Sequence, residues 1–140
     1  MTVKKDKIES IMTTAVVTVD IYESLHYARA IFDKKKIRHL PVVDNQKLVG
    51  MLSLTDIMRL SFGNTYGIDD SETDKTLFEM LTIGQVMKEH PMFVDSEDSI
   101  KKVAEILTNE EFHALPVVKD DNLVGIVTTT DVIKHLISRA

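Results

Sequence analysis

The sequence contains no cysteine, which excludes disulfide bonds, thiolate catalysis and cysteine-based metal sites. It also lacks a Gly-x-Ser-x-Gly elbow, a glycine-rich phosphate loop and a histidine pair at the spacing of metal ligands. No apolar run approaches membrane-spanning length, and no signal-type apolar segment follows the charged start. The formal charge of −5 gives no overall attraction to nucleic acids or anionic membranes. These absences favour a cytoplasmic binding protein over an enzyme, with no nucleic-acid or membrane partner.

The sequence repeats itself at an offset of 75 residues without a gap. Two repeats are too few for a solenoid, and each half of a 140-residue chain would bury a poor core by itself. We therefore expect the two repeats to pack on each other about a pseudo-twofold axis. The clearest matches pair Pro41 with Pro116, Gly50 with Gly125, and Asp56 with Asp131.

Within each repeat the hydrophobic pattern predicts the order β-α-β-β-α, which is an α/β (α+β) fold class. In the first repeat a short strand over Val16–Val19 precedes an amphipathic helix capped by Ser24. Two strands follow, joined by a tight turn at Asp44–Lys47, and a second helix runs from about Leu54 to Leu60. The second repeat follows the same order, and its last helix runs from Thr129 to about Ser138.

The clearest break in the pattern lies between the repeats. Residues 63–81 carry two glycines and an acidic cluster, which are typical of a solvated linker, with a short helix at its end. We assign residues 8–62 to the first repeat and 82–138 to the second. Short helical lead-ins, Ile8 to Met12 and Ile83 to Met87, begin the two repeats.

Gly50 lies inside the second of the two strands that the turn at Asp44–Lys47 joins. A glycine at such a position predicts a bulge, or a place where another group approaches the backbone closely. Ser53 and Asp56 follow it with the spacing of a helix start, a hydroxyl at the cap and a carboxylate in the first turn. Polar groups are therefore expected at the junction of a strand and a helix.

The complete set of motifs resembles a tandem CBS-domain pair. Each repeat has a Leu-Pro-Val-Val strand, a Leu-Val-Gly strand and a Ser/Thr-x-x-Asp helix start. Each motif alone is degenerate, but the full set occurring twice in register is specific. The resemblance covers all but the linker and the extreme N-terminus. It implies a stand-alone regulatory (Bateman-type) module that binds adenosine-containing ligands in clefts between the repeats and often forms dimers.

The resemblance implies that Asp56 and Asp131 bind the ribose of the ligand. A carboxylate accepts hydrogen bonds from both hydroxyls of a vicinal diol, and the amides at a helix start favour a phosphate. The alternative is a capping motif that merely begins a helix. Repetition of the motif behind a glycine-containing strand favours binding. The hydroxyls beside these amides belong to Ser53, Thr55, Thr128 and Thr130.

Arg38 and His113 are equivalent, each three residues before the repeat's proline. The resemblance implies that this position, or the next one, contacts a phosphate. The next position is His39 in the first repeat and has no basic counterpart in the second. Arginine holds phosphate bidentately and stays charged, whereas histidine contributes when protonated or as a neutral donor. The alternative is an exposed basic residue on a turn.

The surroundings of the two motifs differ in charge. Lys34–Lys36 precede Arg38, whereas Asn109–Glu111 precede His113. Charges near a binding cleft shift its affinity for anions. We therefore predict that the two clefts are unequal, and that the one using Arg38 prefers more highly charged phosphate ligands. A solvated helix C-terminus is the alternative explanation of the lysines.

The adenine pocket is predicted only through the resemblance. The stretch from Thr14 to Val17 and the matching stretch from Glu89 to Phe93 resemble the segments that line the base in this family. Core packing is the alternative, and it is favoured for the aliphatic side chains. The candidates for the pocket are Thr14, Val17, Ile37, Met92 and Phe112.

The expected ligand is an adenine nucleotide (AMP, ADP or ATP), with S-adenosylmethionine and NAD as alternatives, and no cofactor is required. Ligand binding would shift the population of conformations, and an unidentified regulated protein would respond to that shift. A homodimer of pairs is the expected assembly. The competing hypothesis is a ligand-free scaffold whose repeats serve only in dimerisation or docking.

Overall fold

The β-α-β-β-α order occurs in both halves of the chain, as predicted. The computed structural model describes residues 6–62, 79–110 and 113–139, without the side chains of residues 61 and 62. Most of the predicted linker, residues 63–78, lies outside the described residues, and so does Phe112. The first half contains β1 (Val19–Asp20), α1 (Leu25–Lys35), β2 (His39–Asp44), β3 (Lys47–Ser53) and α2 (Leu54–Phe62).

The second half repeats this order after a short helix and strand. The lead-in of the first half is a 3-10 turn, Ile8–Ser10, and β1 is shorter than the predicted strand. One strand, β4, was not predicted, because both of its residues are charged and carry no hydrophobic pattern. The elements are α3 (Ile83–Val86), β4 (Lys88–Glu89), β5 (Val94–Asp95), α4 (Ile100–Asn109), β6 (Ala114–Lys119), β7 (Asn122–Thr128) and α5 (Thr129–Arg139).

The chain divides into two compact units whose lead-in segments are exchanged. Val17–Pro91 forms one unit, here the central unit. The segments before Val17 and after Pro91 form the other, the terminal unit. Each lead-in therefore belongs to the unit that contains the strands and helices of the opposite repeat. The repeat boundaries at 8–62 and 82–138 describe internal similarity and stay a prediction.

The strands of each unit pair in the same way. In the central unit β1 is parallel to β2, β2 is antiparallel to β3, and β4 is antiparallel to β3. In the terminal unit β5 is parallel to β6, and β6 is antiparallel to β7. A single bridge from Thr13 to Ile126 takes the place that the β4 pairing has in the central unit.

Two-residue turns close both hairpins, which confirms the predicted tight connections. The φ angles are 52° and 75° at Asn45 and Gln46, and 52° and 70° at Asp120 and Asp121. Two successive residues with positive φ are typical of a type I′ turn, whose twist matches that of the flanking strands.

The glycine inside β3 marks both a bulge and a close approach. The register shifts between Val42 and Val43, which places an extra residue on β3 beside Gly50. A Cβ atom on Gly50 would clash with the thioether of Met87, and one on Gly125 would lie 2.6 Å from the Met12 sulfur. Both methionines come from the lead-ins, so each glycine allows a lead-in to lie against its strand.

Each unit has its own apolar core, completed by an isoleucine from a lead-in. Ile83 is fully buried in the central core, and Ile8 is fully buried in the terminal core. The main helices α1 and α4 are capped as predicted, by Ser24 accepting from the Tyr27 N–H (3.1 Å) and by Ser99 accepting from the Lys102 N–H (3.0 Å).

Backbone hydrogen bonds fasten the N-terminal segment within the terminal unit. The N–H of Ile8 donates to the Asp98 carbonyl (2.7 Å), and the N–H of Thr13 donates to the Ile126 carbonyl (2.8 Å). Lys7 Nζ donates to Glu97 Oε1 at 3.0 Å. This hydrogen bond and the accompanying ionic attraction raise the pKa of Lys7 and lower the pKa of Glu97. None of the helices within the described residues combines the length and apolar character needed to cross a bilayer.

Candidate functional site

The helix starts of α2 and α5 carry the repeated polar motif. Ser53 Oγ accepts a hydrogen bond from the Asp56 N–H (3.0 Å), and Thr128 Oγ1 accepts one from the Asp131 N–H (3.1 Å). Asp131 Oδ2 also accepts from the Thr128 N–H (3.0 Å), which completes a capping box. Capping uses acceptor capacity of each hydroxyl and leaves its capacity to donate. The motif therefore begins a helix and can still bind a ligand.

The two carboxylates have different partners. The Thr13 hydroxyl donates to Asp131 at 3.4 Å from Oδ1 and 3.3 Å from Oδ2. Asp56 Oδ1 lies 3.7 Å from the Arg59 guanidinium, and the Asp56 side chain is 29% exposed. A carboxylate offers about four acceptor positions, so each can also accept from a ligand. One carboxylate is engaged by neutral donors and the other faces a cation.

Backbone hydrogen bonds hold the predicted cationic positions beside the helix starts. The N–H of Leu54 donates to the Arg38 carbonyl (2.8 Å), and the N–H of Thr129 donates to the His113 carbonyl (3.0 Å). His39 pairs with Ser53 across the β2–β3 ladder. The side chains of Arg38, His39 and His113 are exposed. In each unit, a basic residue, the hydroxyl that caps a helix and a half-buried carboxylate therefore lie at the start of that helix.

The other predicted site residues have varied environments. Thr55 and Thr130 are exposed in the first turns of α2 and α5. Val17 and Ile37 pack against the central core, as the core alternative predicts, and their contact with a base stays a prediction. Thr14 is exposed and directly follows Thr13, while Met92 is exposed in the terminal unit, and Phe112 lies outside the described residues.

Two residues beside the carboxylates, Thr13 and Arg59, were not among the sequence predictions, and neither was Lys88, which the repeat matches to Thr13. Arg59 carries a local signal, since it lies three residues after Asp56 on one helix. Thr13 and Lys88 match each other at the offset of 75, but the repeat does not reveal that each lead-in joins the opposite unit. In the described part of the chain no group of three or more His, Asp or Glu residues is arranged to hold a metal ion.

A cavity of about 590 Å³ opens in the central unit away from the α2 start. It is lined by the segment Ile21–Ser24, His26 and residues around Thr82. None of the predicted site residues lines it. The hydroxyls of Ser24 and Thr82 in its wall accept hydrogen bonds from the first turns of α1 and α3.

Comparison with known proteins finds similar structures that contain bound ligands. The family model described as CBS domain matches residues 8–63 and 83–138. A crystal structure of CBSX2 in complex with AMP superposes with a TM-score of 0.79, at 27% identity, over 96% of this chain and 98% of that one. A CBS domain pair of protein MJ0100, in complex with 5′-methylthioadenosine and S-adenosyl-L-methionine, superposes with a TM-score of 0.67, at 25% identity, over 93% and 98%.

Similar curated sequences include longer proteins. The uncharacterized protein MJ1225 of Methanocaldococcus jannaschii is 30% identical over 135 residues, which cover 94% of this chain and 48% of that protein. The chain spans about half or less of the length of several such relatives. The similarity therefore concerns a paired-repeat region that also occurs inside larger proteins.

Proposed function

The chain belongs to the CBS domain family, and we propose that its two helix starts bind an adenosine-containing ligand and so regulate a partner protein. One observation carries the proposal: each unit places a half-buried aspartate, a capped hydroxyl and an adjacent basic residue at the start of one helix. The AMP complex of CBSX2 and the methylthioadenosine and S-adenosylmethionine complex of MJ0100 support the choice of an adenosine compound.

Each group at the helix start has a proposed role. Asp56 and Asp131 accept hydrogen bonds from the ribose hydroxyls, because charge-assisted bonds to a diol are strong. The hydroxyls and the amides of the first turn hold a phosphate or another polar group at the helix N-terminus. Bound ligand then favours one conformation of the module, which the partner protein recognises. The proposed phosphate-binding hydroxyls are those of Ser53, Thr55, Thr128 and Thr130.

The basic residues give the two sites different ligand preferences. Arg38 can hold a phosphate through two parallel hydrogen bonds of its guanidinium, whereas the imidazole of His113 offers a phosphate a single donor. The site in the central unit is therefore proposed to prefer ligands with more phosphate charge. The proposed base-binding residues are Thr14 and Met92 in the terminal unit and Val17 and Ile37 in the central unit, while Phe112 lies outside the described residues.

The test measures ligand-dependent thermal stability of the full chain with AMP, ADP, ATP, S-adenosylmethionine and NAD. A ligand that binds only the folded state raises the melting temperature with concentration. Removing a charged hydrogen-bond acceptor costs about 1.5–3 kcal/mol, so Asp56→Asn and Asp131→Asn should each weaken binding at their own site by about ten- to hundredfold. Asp33→Asn, on the exposed face of α1, is the matched control and should leave binding unchanged.

A second candidate function, a dimerisation scaffold, is favoured by one apolar stripe on α5. Ile133, Leu136 and Ile137 are 49%, 62% and 68% exposed, and their spacing places them on one helix face. An exposed apolar stripe is typical of a protein–protein interface. We propose that it is buried in a homodimer, which is compatible with ligand binding. If none of the five compounds raises the melting temperature, the scaffold is the only one of the two functions that remains.

A further inference from the structure

We infer that the residue after each lead-in methionine, Lys88 in the central unit and Thr13 in the terminal unit, sets how much phosphate charge its site prefers. This inference rests on the proposed function, because it assigns ligand specificity to the same two helix starts. It comes from the exchange of the lead-ins between the units, which places Lys88 in the unit of Asp56 and Thr13 in the unit of Asp131.

The terminal unit shows the contact directly. Thr13 and Ile126 exchange two backbone hydrogen bonds, of 2.8 and 2.9 Å, which fix the lead-in against β7. From this position the Thr13 hydroxyl reaches both oxygens of Asp131, at 3.4 and 3.3 Å. The group that the lead-in contributes to this site is therefore neutral.

The register of the central unit places Lys88 at the equivalent position. Lys88 pairs with Met51 on β3, and Met51 precedes Asp56 by five residues, as Ile126 precedes Asp131. The lead-in here contributes an ammonium group with three donors instead of a hydroxyl. Adjacent side chains of a strand point to opposite faces, so Glu89 does not cancel this charge on the same face.

The remaining groups do not remove the difference. Arg59 follows Asp56 by three residues, and Lys134 follows Asp131 by three residues, so the helices contribute one cation each. Lys88 is exposed on β4, where its flexible stem can follow a ligand phosphate. The charge at the lead-in position is thus a further difference between the two sites, in addition to Arg38 and His113 and to the lysines that precede Arg38.

The experiment exchanges the two lead-in residues in the full chain. Lys88→Thr is measured in an Asp131→Asn background, so that the central site is read alone, and Thr13→Lys is measured in an Asp56→Asn background. Isothermal titration gives Kd for adenosine and for ATP, and the ratio of the two reports the charge preference. Lys88→Arg is the matched control, since it keeps the charge at the same position.

Lys88→Thr should lower the preference for ATP over adenosine about fivefold, and Thr13→Lys should raise it by a similar factor, since one partly screened charge is removed or added. Lys88→Arg should leave the ratio within about twofold, and the change with Lys88→Thr should shrink in high salt. If wild type binds both ligands and neither exchange changes the ratio, the inference is wrong and the proposed function stands. If wild type binds neither ligand, both are wrong.

Discussion

At the scale of single residues, the hairpin turns combine a favoured geometry with an unfavourable side chain. Gln46 has a φ of 75° at the second turn position, where glycine is preferred. Asp121 occupies the matching position with a φ of 70°, and aspartate tolerates this region better than glutamine. The two turns therefore differ in backbone strain although their geometry is the same.

The first prediction concerns Gln46→Gly. Relief of strain at positive φ should exceed the added entropy of the unfolded chain and raise the free energy of unfolding by about 0.5–1 kcal/mol. Asp121→Gly should give a smaller increase. Lys47→Gly, one residue later on β3, should instead lower stability because glycine weakens a strand. Urea unfolding of the three variants checks the order, and a loss of stability with Gln46→Gly would contradict the strain at this turn.

The second prediction compares the two strand glycines. A Cβ on Gly125 would lie 3.0 Å from the Thr13 carbonyl oxygen as well as near Met12, and backbone cannot move aside as a side chain can. The three atoms nearest to a Cβ on Gly50 would all belong to the flexible Met87 side chain. Gly125→Ala should therefore cost about 1–3 kcal/mol of unfolding free energy and Gly50→Ala less. Equal losses of unfolding free energy, measured with denaturant, would show that the two lead-ins adjust equally well to the added methyl group.

At the scale of elements, each lead-in contributes one fully buried isoleucine to a core. Ile8 and Ile83 are both fully buried, each among residues of the opposite repeat. The third prediction is that Ile8→Ala and Ile83→Ala each lower the free energy of unfolding by about 2–5 kcal/mol. Lys101→Ala, at an exposed position of α4, should change it by less than about 0.5 kcal/mol. Thermal or urea unfolding checks this, and near-neutral lead-in variants would show that the segments are dispensable.

The ion pair of Lys7 with Glu97 makes the fastening of the N-terminal segment depend on pH. The pKa of Glu97 is lowered on folding, so its contribution is present above the carboxyl's unfolded pKa and is lost as pH falls through the folded pKa. The pKa of Lys7 is raised, so its contribution is lost only as pH rises through the alkaline range.

The fourth prediction follows from these signs. Glu97→Gln should lower the melting temperature slightly at neutral pH. The difference from wild type should vanish in acid, below the pKa of Glu97 in both the folded and the unfolded state. The effect should be small because the pair is exposed and screened by salt. Glu105→Gln, on the exposed face of α4, is the control. A difference that persists unchanged in acid would show that the carboxylate charge is not its cause.

At the scale of the whole molecule, the sequence predicted what local rules decide. The caps at Ser24 and Ser99, the turn at residues 45–46 and the helix start at Ser53 each depend on neighbours in sequence. The exchange of lead-ins depends on which distant segment fills a core. Because the two repeats carry the same motifs, the sequence is equally compatible with each lead-in packing on its own repeat or on the opposite one. This is why the contact between Thr13 and Asp131 was not predicted, although the repeat shows that Thr13 and Lys88 occupy matching positions.

The fifth prediction concerns assembly through α5. Leu136 belongs to the exposed stripe with Ile133 and Ile137, and a charge there would have to be buried without a partner in a dimer. Leu136→Glu should therefore shift the chain from dimer to monomer in sedimentation velocity, with little change in the melting temperature of the monomer. The control is Lys134→Glu, which changes charge on the same helix without removing apolar area. A wild-type chain that sediments as a monomer at high concentration would rule out this interface, whereas loss of the dimer in both variants would implicate charge and not the stripe.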